Sequence, residues 1–168
     1  MDNQNLKFDF VFLGQSVLKY QVPLDIFTAI NQIYEQNYHN LNKANGQLVG
    51  KIENEHSLFY HGKDQSKMKN HNLLPKNVTD YFMSIFQHYL AFNKIRDYDT
   101  HLNSIWVNEM KQHEYNPARI HRGMLFTGLS SVMILKLPST YGKEYSAEHI
   151  QQNGRLQILG AANGNLLK

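Results

Sequence analysis

The spacing of hydrophobic positions changes its period along the chain. FDFVFLGQSVLKY, residues 8 to 20, mixes aromatic and β-branched residues with polar ones, and predicts a strand or a strand–turn–strand unit broken at Gly14. VPLDIFTAINQIYEQNY then takes up the helical period. Leu24, Phe27, Ile30, Ile33 and Tyr34 fall on one face, and Pro23 suits the first turn, where its missing N–H has no intrahelical partner. The prediction is an amphipathic helix over about 23 to 37. Residues 38 to 77 carry Gly46, Gly50, Gly62 and Pro75 among many Asn and His, with short strand-like runs only at QLVGKI and HSLFYH. They read as an irregular surface segment. LPKNVTDYFMSIFQHYLAFNK restores the helical pattern, with Val78, Phe82, Ile85, Tyr89 and Phe92 on one side and Asn77 placed to cap, for a second helix over about 78 to 94.

After residue 100 the period becomes two. HLNSIWVNEM alternates Ile105 and Val107 against Trp106 and Asn108, and GRLQILG alternates Leu156 and Ile158 against Arg155 and Gln157. LSSVMILKLP, apolar at nearly every position, predicts a largely buried strand ended by Pro138. Helices followed by strands predict an α+β domain with an antiparallel sheet. Internal repeats and low-complexity tracts are absent from the sequence.

Composition narrows the function classes. The 168 residues and 19.6 kDa suit one domain. Hydrophobic residues reach 42%, with 10 Tyr and 9 Phe, enough for a packed core. The excess charge of +3 is small and scattered, so nucleic-acid binding is not expected. The absence of cysteine rules out disulfides, thiolate metal sites and cysteine nucleophiles. MDNQNLKFDF lacks the basic start and apolar stretch of a secretory signal, and no run approaches the ~18 apolar residues of a membrane span. The default expectation is a soluble cytoplasmic protein. The sequence shows no G-x-S-x-G elbow, phosphate loop or H-E-x-x-H helix, which disfavours hydrolase and nucleotide-binding classes.

The stretch that invites chemistry is HEYNPARIHRG, residues 113 to 123: an aromatic, a proline turn, a histidine and a glycine before a long apolar run. On a strand, residues i and i+2 point to the same face. A facial iron site needs two imidazoles and a carboxylate on one side of the ion, leaving positions for cosubstrate and oxygen. Here the i and i+2 positions are Arg119 and His121.

From about Asn103 to Gly160 the chain resembles the 2-oxoglutarate- and Fe(II)-dependent oxygenases of the prolyl-hydroxylase-like kind, especially the small ones carried by tailed marine phages. The residues that carry the resemblance are IWVNEM, EYNP followed by a histidine and a glycine, LSSVMILKLP, and NGRLQ. The resemblance implies a partial double-stranded β-helix (a jelly-roll, cupin-like sheet) with two N-terminal amphipathic helices packed on it. It implies one domain over 1–168, with 1–100 as the supporting region and 101–168 as the first part of the jelly-roll. It also implies Fe(II) and 2-oxoglutarate as cofactors, C–H hydroxylation as the activity, and a host cytoplasm if the protein is phage-encoded.

Two departures from the family pattern bear on activity. Where the family has its first ligand histidine, this chain has Arg119, which offers donors and no lone pair. A guanidinium ~4 Å from a dication costs on the order of 8 kcal/mol at an effective dielectric of about 20. The family also continues past NGRLQ with strands bringing a distal histidine and an arginine that anchors 2-oxoglutarate; neither is expected before Lys168, and His149 falls too early to substitute. The expectation is therefore catalysis impaired or absent in this chain alone.

Individual residues keep more than one reading. His121 is a surviving metal ligand or a polar histidine near a barrel mouth. His113 and His121, eight residues apart across a proline, have no specific ligand spacing. Asn108 lies where related enzymes often place a cosubstrate-contacting residue, and is otherwise an ordinary strand amide. Trp106 is expected in the core. Arg119 and Arg122 beside His121 form an anion pocket or a solvated turn. The alternative function is a noncatalytic binding or assembly module on the same scaffold, its open sheet edges completed by a partner or a second copy.

Overall fold

The computed structural model describes residues 7–12, 16–45, 50–60, 72–117, 128–140 and 156. Strand β1 (Phe8–Phe12) and strand β2 (Ser16–Tyr20) form an antiparallel hairpin, with Phe8 opposite Tyr20 and Phe12 opposite Ser16. This is the strand–turn–strand unit expected from the sequence; Gly14 itself lies outside the described residues. Helix α1 (Leu24–Asn37) follows, then a 3-10 turn (Tyr38–Asn40), strand β3 (Asn42–Lys43), strand β4 (Asn54–Tyr60), helix α2 (Lys76–Phe92) and strand β5 (Ser104–Glu109). Strands β3, β4 and β5 make a second antiparallel sheet with β4 in the centre. The architecture is α+β, and the described strands do not close into a barrel.

Both helices lay an apolar stripe on this sheet. Ile26 and Ile30 from α1 meet Val78, Tyr81, Phe82 and Ile85 from α2 over Leu58 of β4, with Ile105 and Val107 of β5 packed against them. Leu58 and Val78 are fully buried. A bulge between Ser57 and Phe59 lets Leu58 enter the core without breaking the β4–β5 pairing. The hairpin docks on the far end of α2. Tyr20 Oη lies 2.7 Å from His88 Nδ1, Tyr89 Oη donates to the Ser16 carbonyl at 2.9 Å, and the Ser16 hydroxyl donates to Asn93 Oδ1. Burial pushes the Tyr20 phenol up to about 12, with smaller contributions from Tyr81 and Tyr89.

Helix ends are made by backbone geometry. Pro23 and Pro75 stand as the N-cap residues, and neither cap carries a side-chain bond. Pro23 therefore precedes the first turn, and Asn77, expected as the cap of α2, lies inside the helix. The reason is Pro75, whose carbonyl already accepts from Val78 and Thr79. At the other end, Ile95 N–H donates to Leu90 O and Lys94 N–H to Ala91 O, with Lys94 at φ 57°. That is a Schellman closure with a lysine in the left-handed position.

Four further expectations are corrected. Strands β3 and β4 lie between the two helices, where the sequence order predicted helices followed by strands. Residues 38–77 are not wholly a surface segment, because 54–60 is the central strand, with Glu55, His56, Ser57 and Leu58 all buried. Leu24, assigned to the core face of α1, is 78% exposed, and Ile26 is buried in its place. LSSVMILKLP is not a largely buried strand. Residues 128–138 pair with no strand among the described residues, and although Met133 and Leu135 pack on the core, Val132, Ile134 and Leu137 are exposed. The expected strand GRLQILG lies outside the described residues apart from Leu156. Among the described residues, no helix is long and apolar enough to cross a membrane.

Candidate functional site

The two faces of the β4–β5 pair are chemically different, and register decides which residues stand on each. Asn54 pairs with Glu109 and His56 with Val107; between them, Glu55 pairs with Asn108 and Ser57 with Trp106. Since side chains alternate, Asn54, His56, Val107 and Glu109 share the helix side, while Glu55, Ser57, Trp106 and Asn108 share the opposite one.

On the helix side, five residues from four elements form one polar junction. Glu109 Oε2 accepts from Tyr38 Oη at 3.0 Å and from Asn54 Nδ2 at 2.9 Å. Asn54 Nδ2 also lies 3.0 Å from Tyr38 Oη. His56 is held edge-on to Tyr38, ring centroids 5.1 Å apart, with its Nδ1 3.3 Å from Tyr34 Oη. Burial pushes the Tyr34 phenol up to about 12, helped by Glu109 and Tyr38. The hydrogen bond to Glu109 raises Tyr38, since that bond holds the phenol in its protonated form. Burial lowers His56, and Lys43, directly across the ladder on β3, adds to the effect; Glu109 opposes it. At neutral pH the junction holds a neutral imidazole and two protonated phenols, with Tyr38 and Asn54 donating to Glu109.

The opposite face carries Asn108, the cosubstrate-contact candidate. Its Oδ1 is buried with no hydrogen-bond partner. Glu55 and Ser57 on the same face are also buried. Trp106, expected in the core, is half-buried on this face, away from the helices.

The segment leaving β5 is pinned. Lys51 and Tyr115 exchange backbone hydrogen bonds at 3.0 and 3.1 Å. Glu114 spans the turn, accepting from Glu53 N–H at 2.9 Å and Lys111 N–H at 2.7 Å. These backbone donors hold its carboxyl below the usual range. His113 occupies the turn at φ 66° and is exposed, so the first half of HEYNPARIHRG is a clamped turn. Arg119, His121, Arg122 and His149 lie outside the described residues. Among the described residues, no group of three His, Cys, Asp or Glu side chains could hold a metal ion.

At the other end of the sheet, Phe59, Leu74 and Leu102 floor an open groove of about 350 Å³, with Asn72, Lys76, Thr79 and His101 around it. None of the described residues from 105 to 117 lines it. The Tyr34–Tyr38–His56–Glu109 junction was not anticipated from the sequence. Its one local signal is a pair of tyrosines four apart, which share a helix face. No family model matches the chain, and no curated protein or solved structure matches it either.

Proposed function

We propose that the chain is a scaffold of the 2-oxoglutarate- and Fe(II)-dependent hydroxylase kind, a partial jelly-roll that does not turn over as this polypeptide alone. Support comes from IWVNEM and EYNP, which fall on β5 and on the clamped turn after it. The observation that carries the reading is Asn108, whose buried Oδ1 lacks a partner on the strand where related enzymes often contact the cosubstrate. As it stands this oxygen is an acceptor; turned over, the amide would present its Nδ2 donor to one carboxylate oxygen of 2-oxoglutarate.

The donor set does not fit a facial iron site. Arg119 brings a cation and no lone pair where the first imidazole belongs, His121 is one imidazole, and the described residues assemble no three-ligand group. Asn108 would orient cosubstrate without taking part in electron transfer. The test is Fe(II)- and 2-oxoglutarate-dependent succinate release by the isolated chain, beside 2-oxoglutarate binding followed by ligand-observed NMR. The expected result is no turnover, with weak binding in the millimolar range that Asn108→Ala removes. Robust turnover would refute the impairment, and binding indifferent to Asn108→Ala would refute the cosubstrate contact.

A second reading, a noncatalytic assembly module on the same scaffold, is favoured by one observation. Val132, Ile134 and Leu137 are 63%, 50% and 57% exposed along one segment that pairs with no strand among the described residues. Apolar segments of this kind are completed by strand addition from another chain. Light scattering after size exclusion decides it: a monomer at high concentration, unchanged by Ile134→Lys, counts against assembly.

A further inference from the structure

The junction around His56 is not used by the proposed chemistry, yet it holds one stretch of chain against the sheet. We propose that His56 is an acid-sensitive catch that fastens the 34–43 segment to the sheet at neutral pH and releases it on acidification.

The geometry that carries this is the enclosure of His56. The residue is 5% exposed, with the Tyr38 ring edge-on at 5.1 Å and the Tyr34 ring tilted at 5.9 Å. Titratable and charged groups meet it from four elements: Tyr34 from α1, Tyr38 from the 3-10 turn, Lys43 from β3 and Glu109 from β5. His39, exposed, stacks edge-on to Tyr38 at 5.3 Å. A second positive charge at this place would be desolvated by two phenol rings and repelled by the lysine across the ladder. Only Glu109 would welcome it, and the Oε2 of Glu109 is already engaged by Tyr38 and Asn54.

The segment that would yield is held to the sheet at a few points. β3 is two residues long and pairs with Ser57 and His56, Ala44 N–H donates to Glu55 O at 2.8 Å, and Asn45 Nδ2 reaches the carbonyls of Ile52 and Glu53. The side-chain attachments of the 3-10 turn to the sheet run through Tyr38, to Glu109 and Asn54. Leu41, inside the segment, belongs to the same buried cluster as Val78, Tyr81, Phe82 and Ile85 of α2, so its release withdraws one side chain from that cluster, while the Tyr38 bonds themselves are made to the sheet and not to α2.

The sign follows from linkage. A histidine whose folded pKa is depressed binds more protons when the segment is released. The fastening is complete above the ordinary imidazole value of 6.5 and is lost as pH falls below it, until the folded value is passed.

The test is hydrogen exchange of the full chain at about pH 7.5 and about pH 5, read as protection factors so that intrinsic exchange cancels. The wild type is expected to lose protection over residues 38–45 at the lower pH by at least about tenfold while residues 81–90 keep theirs. His56→Gln, which cannot titrate, is expected to show the same protection of 38–45 at both values. An equal loss in His56→Gln overturns the proposal, and so does a loss that spreads equally over 81–90, which would mean global unfolding. Should His56→Gln fail to fold, an NMR titration of the wild-type imidazole stands in its place. A midpoint at or above 6.5 overturns the catch; a lower midpoint that moves up in Lys43→Gln supports it.

Discussion

Gly50 and Pro117 approach so closely that a Cβ built on the glycine would lie 2.7 Å from the proline Cδ and 2.4 Å from the Tyr115 carbonyl oxygen. Neither neighbour is a flexible side-chain end, so the backbone itself must move to admit a methyl group. The contact lies beside the Lys51–Tyr115 bridge and delivers the chain to Arg119 and His121. Gly50→Ala is expected to open that bridge and to cost about 1–3 kcal/mol, the usual range for overpacking. Urea denaturation gives the cost, and exchange at the Lys51 and Tyr115 amides shows whether the bridge is where it is lost. An alanine variant with unchanged midpoint and protection would mean that the segment is not held as described.

Helix α1 separates what periodicity can find from what only packing reveals. Leu24 and Ile30 both belong to the helical stripe in the sequence, yet Leu24 is 78% exposed and Ile30 only 3%. Leu24 is the first helical residue of α1, and Ile26 takes the buried place in that turn. Leu24→Gln is expected to change stability by less than about 0.5 kcal/mol, and Ile30→Ala to cost about 2–5 kcal/mol. Equal losses in denaturant midpoints would show that the first turn of α1 is covered by something else.

The hairpin and both helices were legible because their hydrophobic periods run without interruption over whole elements. β4 was legible only in part, as the short strand-like run HSLFYH inside a stretch read as surface, because Glu55, His56 and Ser57 are polar letters that stand in buried positions. Burial of His56 there is tolerated through its hydrogen bond to Tyr34, which a linear pattern does not display. LSSVMILKLP misled in the opposite direction, since apolarity on both sides of a segment predicts two covered faces and only Met133 and Leu135 find the core. Of the candidate site, Asn108 could be placed on the face opposite Ile105 and Val107 by alternation alone. The junction on the other face could not, because Tyr38 and Glu109 are separated by 71 residues and meet only through the β4–β5 register.

Lys94 closes α2 in a conformation that suits glycine. At φ 57° its Cβ crowds the backbone, while its N–H and that of Ile95 complete the Schellman pair. The side chain is exposed, so the substitution removes strain with little lost packing. Lys94→Gly is expected to stabilise the fold by about 1 kcal/mol. A thermal melt checks this; a lowered melting temperature would mean that the ammonium at the helix C-terminus contributes more than the strain costs.

Tyr81 and Tyr20 offer the same chemical deletion in opposite settings. The Tyr81 hydroxyl is buried with no hydrogen-bond partner, and burial raises its pKa, whereas Tyr20 Oη lies 2.7 Å from His88 Nδ1. An unpaired buried hydroxyl carries its desolvation cost without the bond that offsets it, so Tyr81→Phe is expected to stabilise by up to about 1 kcal/mol. Tyr20→Phe leaves the imidazole nitrogen without its phenol and is expected to cost about 0.5–1.5 kcal/mol. Both are read from urea midpoints at constant slope, so that the two effects are compared on one scale. If Tyr81→Phe proves the more destabilising of the two, the Tyr81 hydroxyl has a partner, and the account of the core between α2 and the sheet has to be redrawn around it.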